Sequence, residues 1–245
     1  MWANLVAKEA SRRGRTPRTK TFSNNLPWLG PLIYFLSVAY FVVQFLVALV
    51  WTPAYNWLTN TISDLGNTSC RPQLCSPRHG LMNAEFWALG LIMAVGSLLI
   101  FQEFTERTDE ERLAARIGFS CLAAGGVGAV LVGAFPENTV GFMHILGAGL
   151  AIFVGTLGIL LIGLRVSLPL GLRWTMRILA PVAMMALILF AGHVYLGMGA
   201  GTMERIAAYP ETVWLVIFGI YISATHYYSK GRRRTATRAA PPPLT

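Results

Sequence analysis

The chain has 245 residues, of which 54% are hydrophobic and only 13% are charged, and its formal net charge is +9. A soluble globular domain is normally about one quarter charged, so the composition excludes that class and points to a membrane protein. The basic residues cluster in two tails, 12–20 and 230–238, rather than on a folded surface. This distribution argues against nucleic acid as a partner.

Six apolar runs are each long enough to cross a bilayer, which takes about 20 helical residues. The sequence therefore predicts an all-α fold, a polytopic membrane bundle of six transmembrane helices. The predicted membrane domain covers residues 29–229, between a basic cytoplasmic tail at 1–28 and a basic, Pro-rich cytoplasmic tail at 230–245. The predicted spans are 29–51, 81–101, 117–135, 140–164, 178–196 and 211–228.

The loops between the spans differ in charge from one side of the membrane to the other. Residues 102–116 and 165–177 carry three arginines each and fall on the same side as both tails. Basic residues are retained in the cytoplasm, so we expect both termini there, in a multi-pass protein of the plasma membrane. The outer loops are then 52–80, 136–139 and 197–210.

Small residues recur at every fourth position in the third and fourth spans. The repeats allow two helix backbones to approach closely in lipid, so we expect these spans to form a tight hairpin. The repeats are Cys121, Gly125, Ala129 and Gly133, followed by Gly147, Ala151 and Gly155.

Polar and ionisable side chains gather near the predicted outer ends of the spans. A charge at mid-bilayer costs about 2.5–3.5 kcal/mol, so these groups should face the bundle interior or water. Because they come from separate outer segments, we expect them to share a pocket, with Arg205 paired to a carboxylate. The predicted ligand-binding residues are Asp64, Asn83, Glu85, Glu137, His144, His193, Glu204 and Arg205.

Two enzymatic interpretations are open for these residues. His144 and His193 could hold zinc together with Asp64, Glu85 or Glu137, although no pair of metal ligands shares one helix face. A nucleophile system of Ser63, a histidine and Asp64 is disfavoured, because adjacent side chains point apart and nothing marks Ser63 as activated. We therefore predict no metal and no cofactor.

The cysteines fit the predicted topology. Cys70 and Cys75 lie in the first outer loop, in an oxidising compartment, so we expect a disulfide between them. Cys121 lies in a span and is interpreted as a small packing residue.

Four segments together resemble a known family. They are residues 60–66 (Asn-Thr-Ile-Ser-Asp-Leu-Gly), residues 83–86 (Asn-Ala-Glu-Phe), Phe135-Pro136-Glu137 with His144, and the Gly-rich segment ending in Glu204-Arg205. Their order and spacing are similar to the prokaryotic membrane family called domain of unknown function 998, over about residues 31–228. The resemblance implies the six-span architecture and no particular chemistry. It also implies a distant similarity to the Frag1/DRAM/Sfk1 membrane proteins, which are associated with lipid and membrane homeostasis.

These observations favour a binding or transport-related protein over an enzyme. Its outer-leaflet pocket would hold a lipid head group or a small polar ligand, and membrane lipid is the expected partner. One alternative is a metal-dependent hydrolase acting on lipid. Another is a structural subunit of an envelope complex or an oligomer, since the small-residue surfaces permit helix association.

Overall fold

The computed structural model describes residues 29–72, 74–105 and 107–239, the last part (226–239) by its backbone alone. Six helices in these residues are long and apolar enough to cross a membrane. The predicted all-α, six-span membrane bundle is therefore confirmed. The tail at 1–28 and the Pro-rich end at 240–245 lie outside the described residues.

Two of the spans contain two α-helices each. The first joins two α-helices through a 3-10 turn, and the fourth contains a π-helical segment, Gly149–Val154. The strands form a small antiparallel hairpin. The elements are α1 Leu29–Phe35, α2 Ala39–Ala48, α3 His79–Phe101, α4 Asp109–Ala134, α5 Gly141–Ala148, α6 Gly155–Arg165, α7 Leu170–Ala191, α8 Ala200–Ala239, β1 Cys70–Arg71 and β2 Leu74–Cys75.

The helix of the third span, α4, begins at Asp109, well before the predicted residue 117. Thr108 caps it by accepting a hydrogen bond from the Glu111 N–H at 3.3 Å. Three acidic residues occupy its first turn, where negative charge complements the helix dipole. These polar signals extend the helix beyond its apolar part, which is all that a hydropathy criterion detects.

The helix of the sixth span, α8, also begins earlier than predicted, at Ala200 rather than 211. Glu204 and Arg205 therefore lie in this helix and not in a loop. Its early N–H groups find a partner in the first loop, because the Leu58 carbonyl accepts from the Thr202 N–H at 3.1 Å. Pro210 lies inside this helix. The helix also continues to Ala239, past the domain boundary predicted at 229.

The helix of the fifth span, α7, ends at Ala191, before the predicted residue 196. His193 and Leu196 have positive φ angles of 57° and 51°, and Gly197 and Gly199 follow with 77° and 88°. A run of left-handed residues is incompatible with a right-handed helix, so the chain turns here into the sixth span.

The third and fourth spans pack closely, as the small-residue repeats predicted. A Cβ on Gly128 would lie 2.5 Å from backbone atoms of Gly147 and Ala151, and one on Gly125 would lie 3.1 Å from the Gly155 Cα. A residue larger than glycine would force the two helices apart.

Connections 1–2, 3–4 and 5–6 meet at one end of the bundle, which we call the loop end. Contacts between their residues, described below, show that they lie together. At the opposite end, the connections around 105–108 and 166–169 meet, because Arg107 donates to the Ser167 carbonyl at 3.2 Å. The polar connections between the spans therefore lie at two opposite ends of the bundle.

Candidate functional site

Residues 52–78, which we call the cap, cover the loop end of the bundle. A disulfide joins Cys70 and Cys75, which face each other across the strand hairpin. Thr52 pairs with Cys75 through two backbone hydrogen bonds of 3.0 and 3.1 Å, which return the chain to the end of the first span. The cap is thus a closed unit attached to the first two spans.

Asp64 and Asn83 hold the short 3-10 turn Ser63–Gly66 within the cap. The Asp64 carboxylate accepts from the Thr61 N–H at 2.8 Å, and the Thr61 hydroxyl accepts from the Asp64 N–H at 2.9 Å. This reciprocal pair has the geometry of a capping box. The amide of Asn83, on the second span, donates to the Gly66 carbonyl at 2.9 Å. Both side chains therefore position the turn.

Arg205 fastens the cap to the sixth span. Its guanidinium donates to the carbonyls of Trp57, Asn60 and Gly201 at 3.0, 2.9 and 2.8 Å, and to the Tyr55 hydroxyl. It also lies over the rings of Tyr55 and Trp57, 5.5 and 4.9 Å from their centroids. Burial raises the pKa of the Tyr55 phenol. The expected pairing of Arg205 with a carboxylate is wrong, because backbone oxygens take its donors.

The short turn between the third and fourth spans docks on the cap. The Asn67 amide donates to the Glu137 carboxylate at 3.2 Å, and the Asn138 carbonyl oxygen accepts from the Thr68 N–H at 3.0 Å. Glu137 also lies near the Asp64 carboxyl. Burial, and next the Asp64 charge, raise the pKa of Glu137 to about 8. Protonation of Glu137 therefore removes a repulsion between two neighbouring carboxylates.

Ser63, His144 and Glu204 form a continuous hydrogen-bond chain beneath the cap. The Ser63 Oγ lies 3.0 Å from the His144 Nε2 and 2.7 Å from the Glu204 Oε1. The His144 Nδ1 lies 2.9 Å from the Phe135 carbonyl, which can only accept, so Nδ1 carries a hydrogen. Glu204 also accepts from the N–H groups of Ile62 and Ser63. His144 and Glu204 are 7% exposed, so this chain is buried.

From sequence alone, Ser63 is considered only as a nucleophile, is disfavoured in that role, and is left out of the predicted ligand-binding residues. Its partners are separated from it by 81 and 141 residues, and no local pattern relates them. The only local signal is the turn residue Asp64 beside it, which indicates a bend but no partner.

A cavity of about 60 Å³ lies below this chain, inside the bundle. Apolar side chains of the second, third, fourth and sixth spans, with Ile62 of the cap, form most of its wall. Its polar lining consists of Tyr40, Ser63, Glu204, Glu211 and Thr212. Glu204, Ala208 and Glu211 share one face of the sixth helix, since they are spaced four and then three residues apart. No lysine, arginine or histidine lines it among the described residues.

Glu211 is a second residue that sequence reasoning missed. It is 4% exposed, and its Oε1 has no hydrogen-bond partner within the described structure. Gly155 makes room for it, because a Cβ there would lie 2.0 Å from that oxygen. The sequence placed Glu211 at a span boundary, where a carboxylate is unremarkable, because it started the sixth helix too late.

Glu85 and His193 stand apart from the cavity. Glu85 is 8% exposed, its Oε1 has no partner in the described part of the chain, and it does not line the cavity. His193 is exposed and its Nδ1 lies 2.9 Å from the Tyr195 hydroxyl. The eight predicted residues therefore do not face one shared pocket: only Glu204 lines the cavity, and Asp64, Asn83, Glu137, His144 and Arg205 build its roof.

The described residues contain no group of three or more His, Cys, Asp or Glu placed to hold a metal ion. His144 and His193, which the metal hypothesis combined, have separate partners.

The chain matches the family described as protein of unknown function (DUF998) over residues 35–221, which includes the cap, His144 and the cavity. No curated protein and no solved structure matches the chain. The similarity to the Frag1/DRAM/Sfk1 proteins finds no support in these comparisons. The match spans most of the chain, and the protein therefore belongs to the DUF998 family.

Proposed function

We propose that this membrane protein binds a small polar ligand in the cavity lined by Ser63, Glu204 and Glu211, in a sensing or transport-related role. The supporting observation is a partnerless carboxyl oxygen, that of Glu211, in the wall of a mostly apolar cavity. Buried polar groups are normally satisfied, so an unpartnered one in a cavity marks a place for a bound group.

The charge of the wall selects the ligand chemistry. Glu204 and Glu211 are its only acidic groups among the described residues, and no lysine, arginine or histidine lines it. The nearby Arg205 directs its Nη1 and Nη2 donors to carbonyls of the cap and of Gly201 and to the Tyr55 hydroxyl. An anion would therefore meet carboxyl oxygens and no cation in the wall. The site therefore suits a ligand that donates hydrogen bonds or carries positive charge.

The size of the cavity separates the two ligand classes that the sequence suggested. A water molecule needs roughly 10–15 Å³ of such volume, so about 60 Å³ holds a few waters or an ion of similar size. A lipid head group is larger and would require the helices to separate. The geometry favours the small polar ligand.

The loop charges support a direction of access. By the positive-inside rule both termini would lie in the cytoplasm, and the cap would then lie on the outer face of the plasma membrane. The cavity would then lie below the outer surface, under the cap.

Ligand-induced stabilisation tests this function with cations of graded size. The full chain in lipid nanodiscs would be heated with ammonium, methylammonium or tetramethylammonium chloride, at constant ionic strength. We expect ammonium and methylammonium to raise the unfolding temperature, and at 100 times the Kd a bound ligand adds about 2.7 kcal/mol. Tetramethylammonium is too large and should add nothing.

Glu85 provides a matched control, because it is also a buried glutamate with a partnerless oxygen but does not line the cavity. Glu211→Gln should abolish the stabilisation, and Glu85→Gln should keep it. Equal stabilisation by all three cations, or its persistence in Glu211→Gln, would contradict the proposal.

The Ser63–His144 contact favours a second candidate, a serine hydrolase. An oxygen 3.0 Å from an imidazole nitrogen has the nucleophile–base geometry of covalent catalysis. A fluorophosphonate probe tests it by mass spectrometry. Labelling of Ser63 that disappears in His144→Gln would support the hydrolase, and an unlabelled Ser63 would reject it.

A further inference from the structure

The Glu204–Ser63–His144 chain contains one hydrogen too few if both ends have their common charge states. The His144 Nδ1–H is committed to the Phe135 carbonyl. Ser63 has a single hydroxyl hydrogen, yet its Oγ contacts both the Glu204 Oε1 and the His144 Nε2. With a carboxylate and a neutral imidazole, one of these two contacts would bring lone pairs together.

One added proton satisfies the whole chain in either of two ways. In the first, Glu204 is a carboxylic acid that donates to Ser63, and Ser63 donates to His144. In the second, His144 is an imidazolium whose Nε2–H donates to Ser63, and Ser63 donates to the Glu204 carboxylate. Both arrangements have a net charge of zero, which suits a buried place better than an unpaired charge.

We propose that Glu204, Ser63 and His144 form a proton-binding site that holds this one proton and passes it between its two ends. In the transfer, the Glu204 proton moves to the Ser63 Oγ while the original Ser63 hydroxyl proton moves to the His144 Nε2. The products are a carboxylate, an intact hydroxyl and an imidazolium. No oxidant or other reactant is needed. The site connects the cavity, which Glu204 lines, with the turn at 135–140.

The geometry of the backbone supports both arrangements. The Ile62 and Ser63 N–H groups point at Glu204, which stabilises a carboxylate. The Phe135 carbonyl accepts from Nδ1, which stabilises an imidazolium. Each end of the chain can therefore hold its charge, and the two arrangements are held by the same backbone.

Several titratable and charged groups surround the site and contribute to its proton affinity. Arg205, beside Glu204, favours the carboxylate, whereas the carboxyls on the cap and the 3–4 turn favour the imidazolium. The groups are Tyr40 of the first span, Tyr55 and Asp64 of the cap, Glu137 of the 3–4 turn, and Arg205, Tyr209 and Glu211 of the sixth span. None of these groups is substituted in the variants below.

The test follows the protonation of His144 by nitrogen NMR in nanodiscs. The full chain carries His79→Gln, His193→Gln and His226→Gln, so that His144 is the one labelled histidine. In Glu204→Gln, the amide donates permanently to Ser63 and directs the hydroxyl at Nε2. We expect His144 in this variant to become half protonated only at a proton concentration at least about tenfold higher than in the protein that keeps Glu204.

Ser63→Ala shows whether the coupling passes through the hydroxyl. In that background the Glu204→Gln effect should shrink to less than about twofold. Ser63→Thr keeps a hydroxyl and should restore the tenfold effect, which also shows that the site still folds. An equal effect with and without the hydroxyl, or none with it, would overturn the proposal. Neither result depends on whether the cavity binds a cation.

Discussion

The two ends of the bundle both carry polar side chains but bury them differently. At the opposite end, Arg107 lies 3.8 Å from Glu111 in a pair that remains partly exposed. Arg112 pairs with Asp109, whose side chain is 91% exposed. At the loop end, His144, Glu204 and Arg205 are each less than a tenth exposed.

This difference indicates at which end polar side chains contribute most to the stability of the fold. The opposite end is a solvated surface, and exposed ion pairs of this kind contribute only about 0–1 kcal/mol to stability. Buried donors and acceptors cost about 1–3 kcal/mol each when a partner is lost, so each contact at the loop end constrains the fold. The cavity lies beneath that constrained end, and substitutions at the two ends should therefore have unequal effects.

The largest effect is expected for Arg205→Met. The change leaves the carbonyls of Trp57, Asn60 and Gly201 without their donor, and it should lower the free energy of unfolding by at least about 3 kcal/mol. Denaturant unfolding of the protein in detergent measures the loss. Arg112→Met, at the opposite end, should cost less than about 1 kcal/mol. Similar losses for both variants would break the comparison.

A smaller effect is expected for Gly201→Ala. Its Cβ would lie 2.0 Å from the Asn60 carbonyl oxygen, so the cap must shift, at a cost of about 1–3 kcal/mol. Gly171 lies in the first turn of α7, the helix of the fifth span, at the opposite end. A Cβ on Gly171 would have nothing within 4 Å. Gly171→Ala should be neutral or stabilise by up to about 1 kcal/mol. Thermal unfolding of both variants decides the matter, and a stable Gly201→Ala protein would show that the cap is not pressed against the helix.

A third effect is a dependence of stability on pH, assigned to Glu137. Its pKa is raised from an ordinary value of 4.5 to about 8, so folding favours the protonated carboxyl. The resulting stability is fully present below about pH 4.5 and is lost as the pH rises through about 8. Glu137→Gln keeps a polar side chain of nearly the same shape that carries no charge and does not titrate.

Unfolding curves at a series of pH values measure this dependence. The wild type should lose stability relative to Glu137→Gln between pH 4.5 and 8, because only its carboxyl must ionise. The exposed Glu110→Gln, at the opposite end, is the control and should follow the wild type throughout. A constant difference between wild type and Glu137→Gln across that range would contradict the assignment.

Hydropathy and small-residue spacing predicted the architecture because both depend on local sequence. Apolar runs located all six spans, and the repeats around Gly125 and Gly155 predicted the close pairing of the third and fourth. Helix ends were less predictable. The third helix starts with acidic residues and the sixth with a Gly- and Glu-containing segment, neither of which resembles lipid-facing sequence.

The candidate site was predictable in its residue types but not in its pairings. His144, Glu204 and Arg205 were recognised because ionisable groups are rare near membranes. Their partners are a cap hydroxyl and backbone carbonyls from distant parts of the chain, which leave no periodic signal. Arg205 illustrates the limit, since charge alone suggested a carboxylate, whereas the fold supplies carbonyl oxygens. Glu211 was missed because its depth depends on where the sixth helix begins.

The central claim, a small polar site at the loop end of the bundle, is tested most directly by a high-resolution cryo-electron microscopy structure in lipid nanodiscs with ammonium chloride. The claim predicts density for a water-sized group in the cavity, within hydrogen-bond distance of the Glu211 Oε1 and below the Ser63–Glu204 contact. An empty, closed cavity, with Glu211 paired to a protein side chain, would contradict it.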